Sequence, residues 1–93
     1  MIIKFKCKET EKIWQGVISR RLPTDIQQVA RRKLRMLNNA KQLSDLRIPP
    51  NNRLELLKGD RAGEHSIRIN NQWRICFKWI SGNVDDVIIE DYH

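Results

Sequence analysis

The stretch "HSIRINNQWRICFKWI" (residues 65–80) decides the fold. Two runs rich in β-branched and aromatic residues flank Asn70, Asn71 and Gln72, which is the pattern of a β-hairpin with a short turn. If Ile69 and Trp73 close that three-residue turn, Arg68 faces Arg74 and Ile67 faces Ile75. Like charges directly opposite one another destabilise a sheet. Two guanidiniums on one face make sense around an anion, because their forks match phosphate oxygens. The plain alternative has one Arg splayed into solvent and the other paired with Glu64, Glu90 or Asp91.

Working outward from the hairpin, "VIIEDY" (residues 87–92) reads as a last strand after the turn "SGNVDD". "RLELLK" (residues 53–58) reads as a short first one, and "GDRAG" as a turn-rich link. Upstream, Pro49 and Pro50 stop any helix, so "RIPPNN" is a loop. "TDIQQVARRKLRMLNN" carries a buried stripe of Ile26, Val29, Ala30, Leu34 and Leu37, with Arg31, Arg32 and Arg35 off it. Thr24 and Gln27 have the spacing of a capping box. Asn38 and Asn39 end that helix, and a short turn continues through Leu43 and Leu46. "TEKIWQGVI" puts Ile13, Trp14, Val17 and Ile18 at helical spacing, with Thr10 as a candidate N-cap. "IIKFKCK" (residues 2–8) alternates Ile3, Phe5 and Cys7 with Lys4, Lys6 and Lys8, the period of a half-buried edge strand. The order predicts an α+β domain over residues 1–93, with two N-terminal helices on one face of a mainly antiparallel sheet.

Charge limits the partners. Eighteen Lys and Arg against eleven Asp and Glu give +7 on 93 residues. Phosphate polyanions are therefore the leading partner class. A membrane surface is the weaker reading, because the basic residues do not line one aromatic-rich amphipathic helix. A basic surface kept for solubility or for an acidic protein would give the same count. No secretory or membrane-spanning segment is read from the sequence, and Cys7 and Cys76 are expected to be reduced in a cytoplasmic protein. His65, His93 and the two cysteines lack metal-fingerprint spacing, so no metal and no cofactor is expected.

Several residues suit phosphate chemistry. Lys58 and Arg61 sit in "LKGDRAG", where Gly59 and Gly63 allow close backbone approach, though an ordinary charged turn would look the same. The chain closes on Asp91, Tyr92 and His93: a carboxylate, a phenol and an imidazole. Trp14, Trp73 and Trp79 read as core. RNA cleavage by the strand's own 2′-OH needs a base, cations around the phosphorus and an acid for the leaving 5′ oxygen. The set supplies all three.

These residues resemble a known family. "NRLELLKGDRAGEHSIRINNQWRICFKW", the terminal "VIIEDYH" and the early "RRLP" are similar to the HigB toxins of bacterial toxin–antitoxin pairs, within the RelE superfamily. The likeness implies a microbial-RNase-like sheet with two helices packed on it. It implies a ribosome-dependent mRNA endonuclease that cuts the A-site codon on the 70S ribosome and is neutralised by a helix-turn-helix HigA antitoxin. Operator DNA would be contacted only through that antitoxin. Carried over by position, Arg74 and Lys58 would hold the scissile phosphate, and Asp91, Tyr92 and His93 would move protons or orient the strand. Arg68 matches a basic strand position, with Arg61 and Glu55 beside it as RNA contacts. In some members a His stands where this chain has Glu55; if that His is the base there, either Glu55 replaces it here or the role moves to His93. The alternatives are a non-catalytic gyrase poison of the ParE type and a plain basic RNA-binding module.

Overall fold

The structure, a computed structural model, describes residues 1–91. Helix α1 is Lys8–Trp14 and helix α2 is Thr24–Asn39. Short 3-10 turns at Leu43–Arg47 and Pro50–Asn52 lead to four strands. These are β1 (Glu55–Leu56), β2 (Glu64–Arg68), β3 (Trp73–Ile80) and β4 (Asn83–Asp91). They form one antiparallel meander in the order β1-β2-β3-β4.

The hairpin takes the expected register. Ile67 pairs with Ile75 and Arg68 with Arg74. Alternation then sorts the two faces. One face carries Ile67, Ile75, Phe77, Val84, Val87 and Ile89, packed against Ile13 of α1 and Ile26, Ala30, Leu34 and Leu37 of α2. The other face carries polar groups: Glu55, Glu64, Ser66, Arg68, Arg74 and Glu90. Both helices therefore lie on one side, and the polar side is left for other work. Trp14, Trp73 and Trp79 pack against the core from its margin, as read from the sequence.

The N-terminal segment departs from expectation. Residues 2–8 form no strand among the described residues; Ile2 and Phe5 make isolated parallel bridges to Val84 and Val87 of β4. Contacts three residues apart do not fit a two-residue pleat. Ile3 is 54% exposed, and Ile2 turns inward in its place. Thr10 is not a cap. It is fully buried inside α1, and its Oγ1 accepts a hydrogen bond from the Ile89 amide (2.9 Å). The helix stops at Trp14, so Val17 and Ile18 are exposed loop residues rather than a helical face.

Thr24 does not cap α2 either; Pro23 holds that position. Gln27 reaches back instead, donating through Nε2 to the Ser19 and Leu22 carbonyls and accepting from the Ser19 amide. It ties the "SRRLP" loop to the helix start. β4 also begins earlier than expected, at Asn83, because only Ser81 and Gly82 turn the chain. The acidic pair within it forms a bulge: Asp86 takes a positive φ of 48° and accepts ion pairs from Lys4 (2.9 Å) and Lys78 (3.2 Å). Such a bulge bends and twists the strand locally.

Candidate active site

The polar face of the sheet is organised around two arginines. Arg74 lies mid-hairpin and is only 4% exposed. Its Nε donates to Ser66 Oγ (2.8 Å), and its Nη2 donates to the Ser66 carbonyl (3.3 Å) and the Arg53 carbonyl (2.6 Å). Its Nη1 sits 3.9 Å from Glu55 Oε1. Ser66 reaches this spot because it stands two pairs along the β2–β3 ladder, opposite Cys76, and so on the same face as Arg74. Glu55 reaches it because β1 pairs Glu55 with Ser66. Arg53 presents its carbonyl through a left-handed backbone (φ 45°), an uncommon conformation for a residue with a Cβ. Such backbone strain concentrates at functional sites.

These groups line a cleft of about 200 Å³, walled by Arg53, Glu55, Arg68, Asn70, Asn71 and Arg74. Arg68 is the cross-strand partner of Arg74, and its guanidinium hydrogen-bonds Asn71 in the turn. Among the described residues, three arginines thus converge on one opening with a single carboxylate among them. Ser66 and the Arg53 carbonyl hold the floor cation through neutral oxygens, which orient it. An anion entering here meets a fixed, largely desolvated guanidinium, the arrangement in which charge-assisted hydrogen bonds are strongest.

Arg61 is placed differently. It lies in the turn Gly59–Arg61 between β1 and β2, where Gly59 and Gly63 take the positive φ values the tight path needs. Its Nε and Nη2 donate to Glu64 (3.1 and 3.0 Å), and its Nη1 and Nη2 donate to Glu90 (2.5 and 3.0 Å). This two-carboxylate clamp holds Glu64 below the usual carboxylate range and raises Arg61 further. Cys76, between them on β3, is pushed up to about 11 by burial and then by Glu90. A thiol in that state is a small core residue rather than a nucleophile.

The sequence-derived candidates therefore separate. Glu55, Arg68 and Arg74 come together around the cleft. Lys58 is exposed on the loop after β1 and is not among the residues lining the cleft. Asp91 pairs with Trp73, one residue off the Arg74–Glu90 pair, so it falls on the opposite face of the sheet. There it accepts a hydrogen bond from Gln72 (3.0 Å). Tyr92 and His93 lie outside the described residues. The sequence reading does not single out Arg53, Asn70 or Asn71. The asparagines carry a usable signal, because the hairpin turn places them beside the arginine pair. Arg53 offers no such signal, since its position depends on a left-handed turn after Pro50. Among the described residues no group of three or more His, Cys, Asp or Glu is placed to hold a metal ion.

Comparisons with known proteins bear on the family and the fold. The profile of a family described as the RelE-like toxin of the type II toxin–antitoxin system HigB matches residues 3–93. The chain belongs to the HigB family of RelE-like toxins. It is similar to Toxin HigB-1 of Vibrio cholerae, with 43% identity over 83 residues covering 88% of this chain and 87% of that one. It is also similar to Endoribonuclease HigB of Proteus vulgaris, with 30% identity over the full length of both. In three dimensions it resembles a YoeB/ParE toxin from Agrobacterium tumefaciens (TM-score 0.60, 18% identity, all of both chains covered). YafQ from Escherichia coli gives a TM-score of 0.58 at 13% identity, covering 98% of this chain and 93% of that one. These last two likenesses concern the fold: the α+β arrangement that the order of elements predicts, of the RelE-like kind that the family resemblance implies. No helix among the described residues is long and apolar enough to cross a membrane.

Proposed function

We propose that this toxin is a ribosome-dependent endoribonuclease of the cytoplasm, cutting translated mRNA and silenced by a HigA-type antitoxin. The observation that carries the reading is Arg74: a buried guanidinium, positioned by Ser66 and the Arg53 carbonyl, at the floor of an open cleft rimmed by two more arginines. A scissile phosphate seated there gains a cation fixed in place before the reaction begins. Fixed donors of that kind act most strongly where charge builds up in the transition state. The substrate's 2′-OH attacks the adjacent phosphorus, a cyclic phosphate forms, and the 5′ oxygen of the next nucleotide leaves. Arg74 stabilises the developing phosphorane charge. Arg68 and Lys58 steady the flanking strand.

Two proton transfers accompany this step. Glu55 is the described carboxylate that lines the cleft, and we assign it to the 2′-OH proton. The leaving oxygen draws its proton from Tyr92 or His93, which enter on the family likeness alone; Asp91, on the opposite face, is not assigned to this step. Arg61 is assigned to the scaffold rather than to RNA, because its donors are engaged by Glu64 and Glu90.

The test maps 5′ ends of a reporter mRNA in a cell-free system, with translation running and with it blocked. The wild-type chain is expected to cut only the translated message. Arg74→Ala and Arg74→Lys are expected to lower cleavage by about 10²–10³-fold, the usual cost of losing one transition-state donor. Unchanged cleavage by Arg74→Ala would remove the phosphate assignment. DNA damage signalling without mRNA cuts would favour a gyrase poison on the same fold.

A further inference from the structure

A second cleft lies beside the first, between α2 and the tip of the β2–β3 hairpin. It measures about 370 Å³ and is lined by Arg32, Lys33, Asn51, Arg68 and Asn70, with Val29 and Ile69 as its apolar edge. No described carboxylate lines it. Lys33 is the unusual member. It is 5% exposed, and its ammonium donates to the neutral Asn52 Oδ1. Asn52 is itself fully buried and donates to the Leu46 and Ile48 carbonyls, so the acceptor is fixed in place. No carboxylate lies within ion-pair distance of Lys33 among the described residues. Burial, followed by repulsion from Arg32, pulls the Lys33 ammonium below its ordinary range.

A buried cation without a counter-charge is costly, and proteins normally pair or neutralise it. Here no described residue does so, while two further cations and two amide side chains stand around the same opening. The two clefts also share Arg68 and Asn70. An extended polyanion seated on Arg74 therefore runs directly into the second cleft.

We infer that the cleft of Arg32, Lys33, Arg68, Asn51 and Asn70 is a phosphate subsite for the substrate RNA, holding a backbone phosphate next along the strand from the scissile one. The inference rests on the endoribonuclease reading, yet it concerns a different set of residues and a different measurement. The amides of Asn51 and Asn70 supply neutral donors at its rim, and Arg32 with Lys33 supplies the charge. The site recognises backbone rather than base, so it adds affinity and register without sequence preference.

The probe is an RNA oligonucleotide with 2′-O-methyl groups, which cannot be cut. It is offered as a dinucleotide with one phosphate and as a hexanucleotide. Binding of the full chain is measured across a salt series, with the oligonucleotide alone, with it programmed into 70S ribosomes, and with 70S ribosomes lacking it. Arg32→Ala and Asn51→Asp, both at exposed positions, are expected to weaken hexanucleotide binding by about tenfold, the scale of one charge-assisted hydrogen bond. The salt slope should fall by about 0.7 for each phosphate that is no longer bound. Dinucleotide binding should be unchanged, as should hexanucleotide binding by Arg35→Ala, an exposed cation of the same helix outside the cleft. Wild-type affinity and slope in both variants, free and on the ribosome, would overturn the subsite. So would a loss confined to ribosomes without the oligonucleotide, which would assign the cleft to ribosomal RNA. If Arg74→Ala weakens neither oligonucleotide while Arg32→Ala weakens the longer one, the scissile-phosphate assignment falls and the subsite stands.

Discussion

Arg61 and Arg74 occupy the same polar face of one small sheet, yet their surroundings differ in kind. Arg61 is held by two carboxylates, so the cluster of one cation and two anions is already over-neutralised. Arg74 is held by a hydroxyl and two carbonyls, with Glu55 standing off at 3.9 Å. Both guanidiniums are geometrically fixed. Of the two, Arg74 is the one whose short hydrogen bonds among the described residues go to neutral oxygens, with Glu55 as its longer ion pair. Two short carboxylate pairs tie strands together at Arg61, whereas neutral oxygens orient the guanidinium of Arg74. The contrast also explains how a register that puts Arg68 opposite Arg74 is tolerated. Arg74 folds back onto its own ladder through Ser66, while Arg68 turns outward to Asn71, so the two guanidiniums draw on different acceptors.

The largest expected effect is the cleavage loss in the Arg74 variants, and it sharpens the contrast when set against Arg61→Met. That variant should cut translated mRNA at close to the wild-type rate per folded molecule. Its cost should appear in stability instead. Removing Arg61 leaves Glu64 and Glu90 facing each other without their shared cation. Loss of one partner of a buried pair costs several kcal/mol, but Arg61 is about a third exposed, and solvent screening brings the expected loss to about 2 kcal/mol. Chemical denaturation measures it. An Arg61→Met chain of normal stability with cleavage reduced as far as in Arg74→Ala would break the distinction and return Arg61 to the RNA.

How much of this is legible along the chain depends on whether partners are local. The hairpin register is legible because period-two alternation and a three-residue turn are both local signals. Most of the α2 stripe is legible because burial follows helical spacing; Val29 is the exception, half-buried at the edge of the second cleft. The first residues mislead for the same reason. Alternating Lys and apolar residues look like a strand, but they are anchored at Ile2 and Phe5 by β4, far along the sequence. Thr10 has the residue type of a cap and is spent on the Ile89 amide, 79 residues away. Lys33 sits inside a run of solvated arginines, and nothing in "VARRKLRM" separates it from them. Only the docking of Asn52 against α2 buries it. In the candidate site, the arginine pair is visible in the hairpin, whereas Arg53 and the division of labour between Arg61 and Arg74 need contacts made through space.

The smallest effect tests the closed half of the comparison through pH. Glu64 is held below the ordinary carboxylate range chiefly by its hydrogen bonds to Arg61, with burial opposing. A carboxylate whose folded value is lowered binds its proton less readily in the native state than in the unfolded chain. Its contribution is therefore complete above the ordinary range, about pH 4.3 for Glu, and fades as pH falls through the lowered native value. Glu64→Gln cannot titrate at that position and should lose stability less steeply between about pH 6 and about pH 3. Near neutrality it should be less stable than wild type by about 1 kcal/mol, and the two curves should converge in acid. Urea midpoints across that range read both features. Parallel curves would mean that Glu64 is a passive neighbour of Arg61, leaving Glu90 alone to neutralise it and the guanidinium correspondingly more open to RNA.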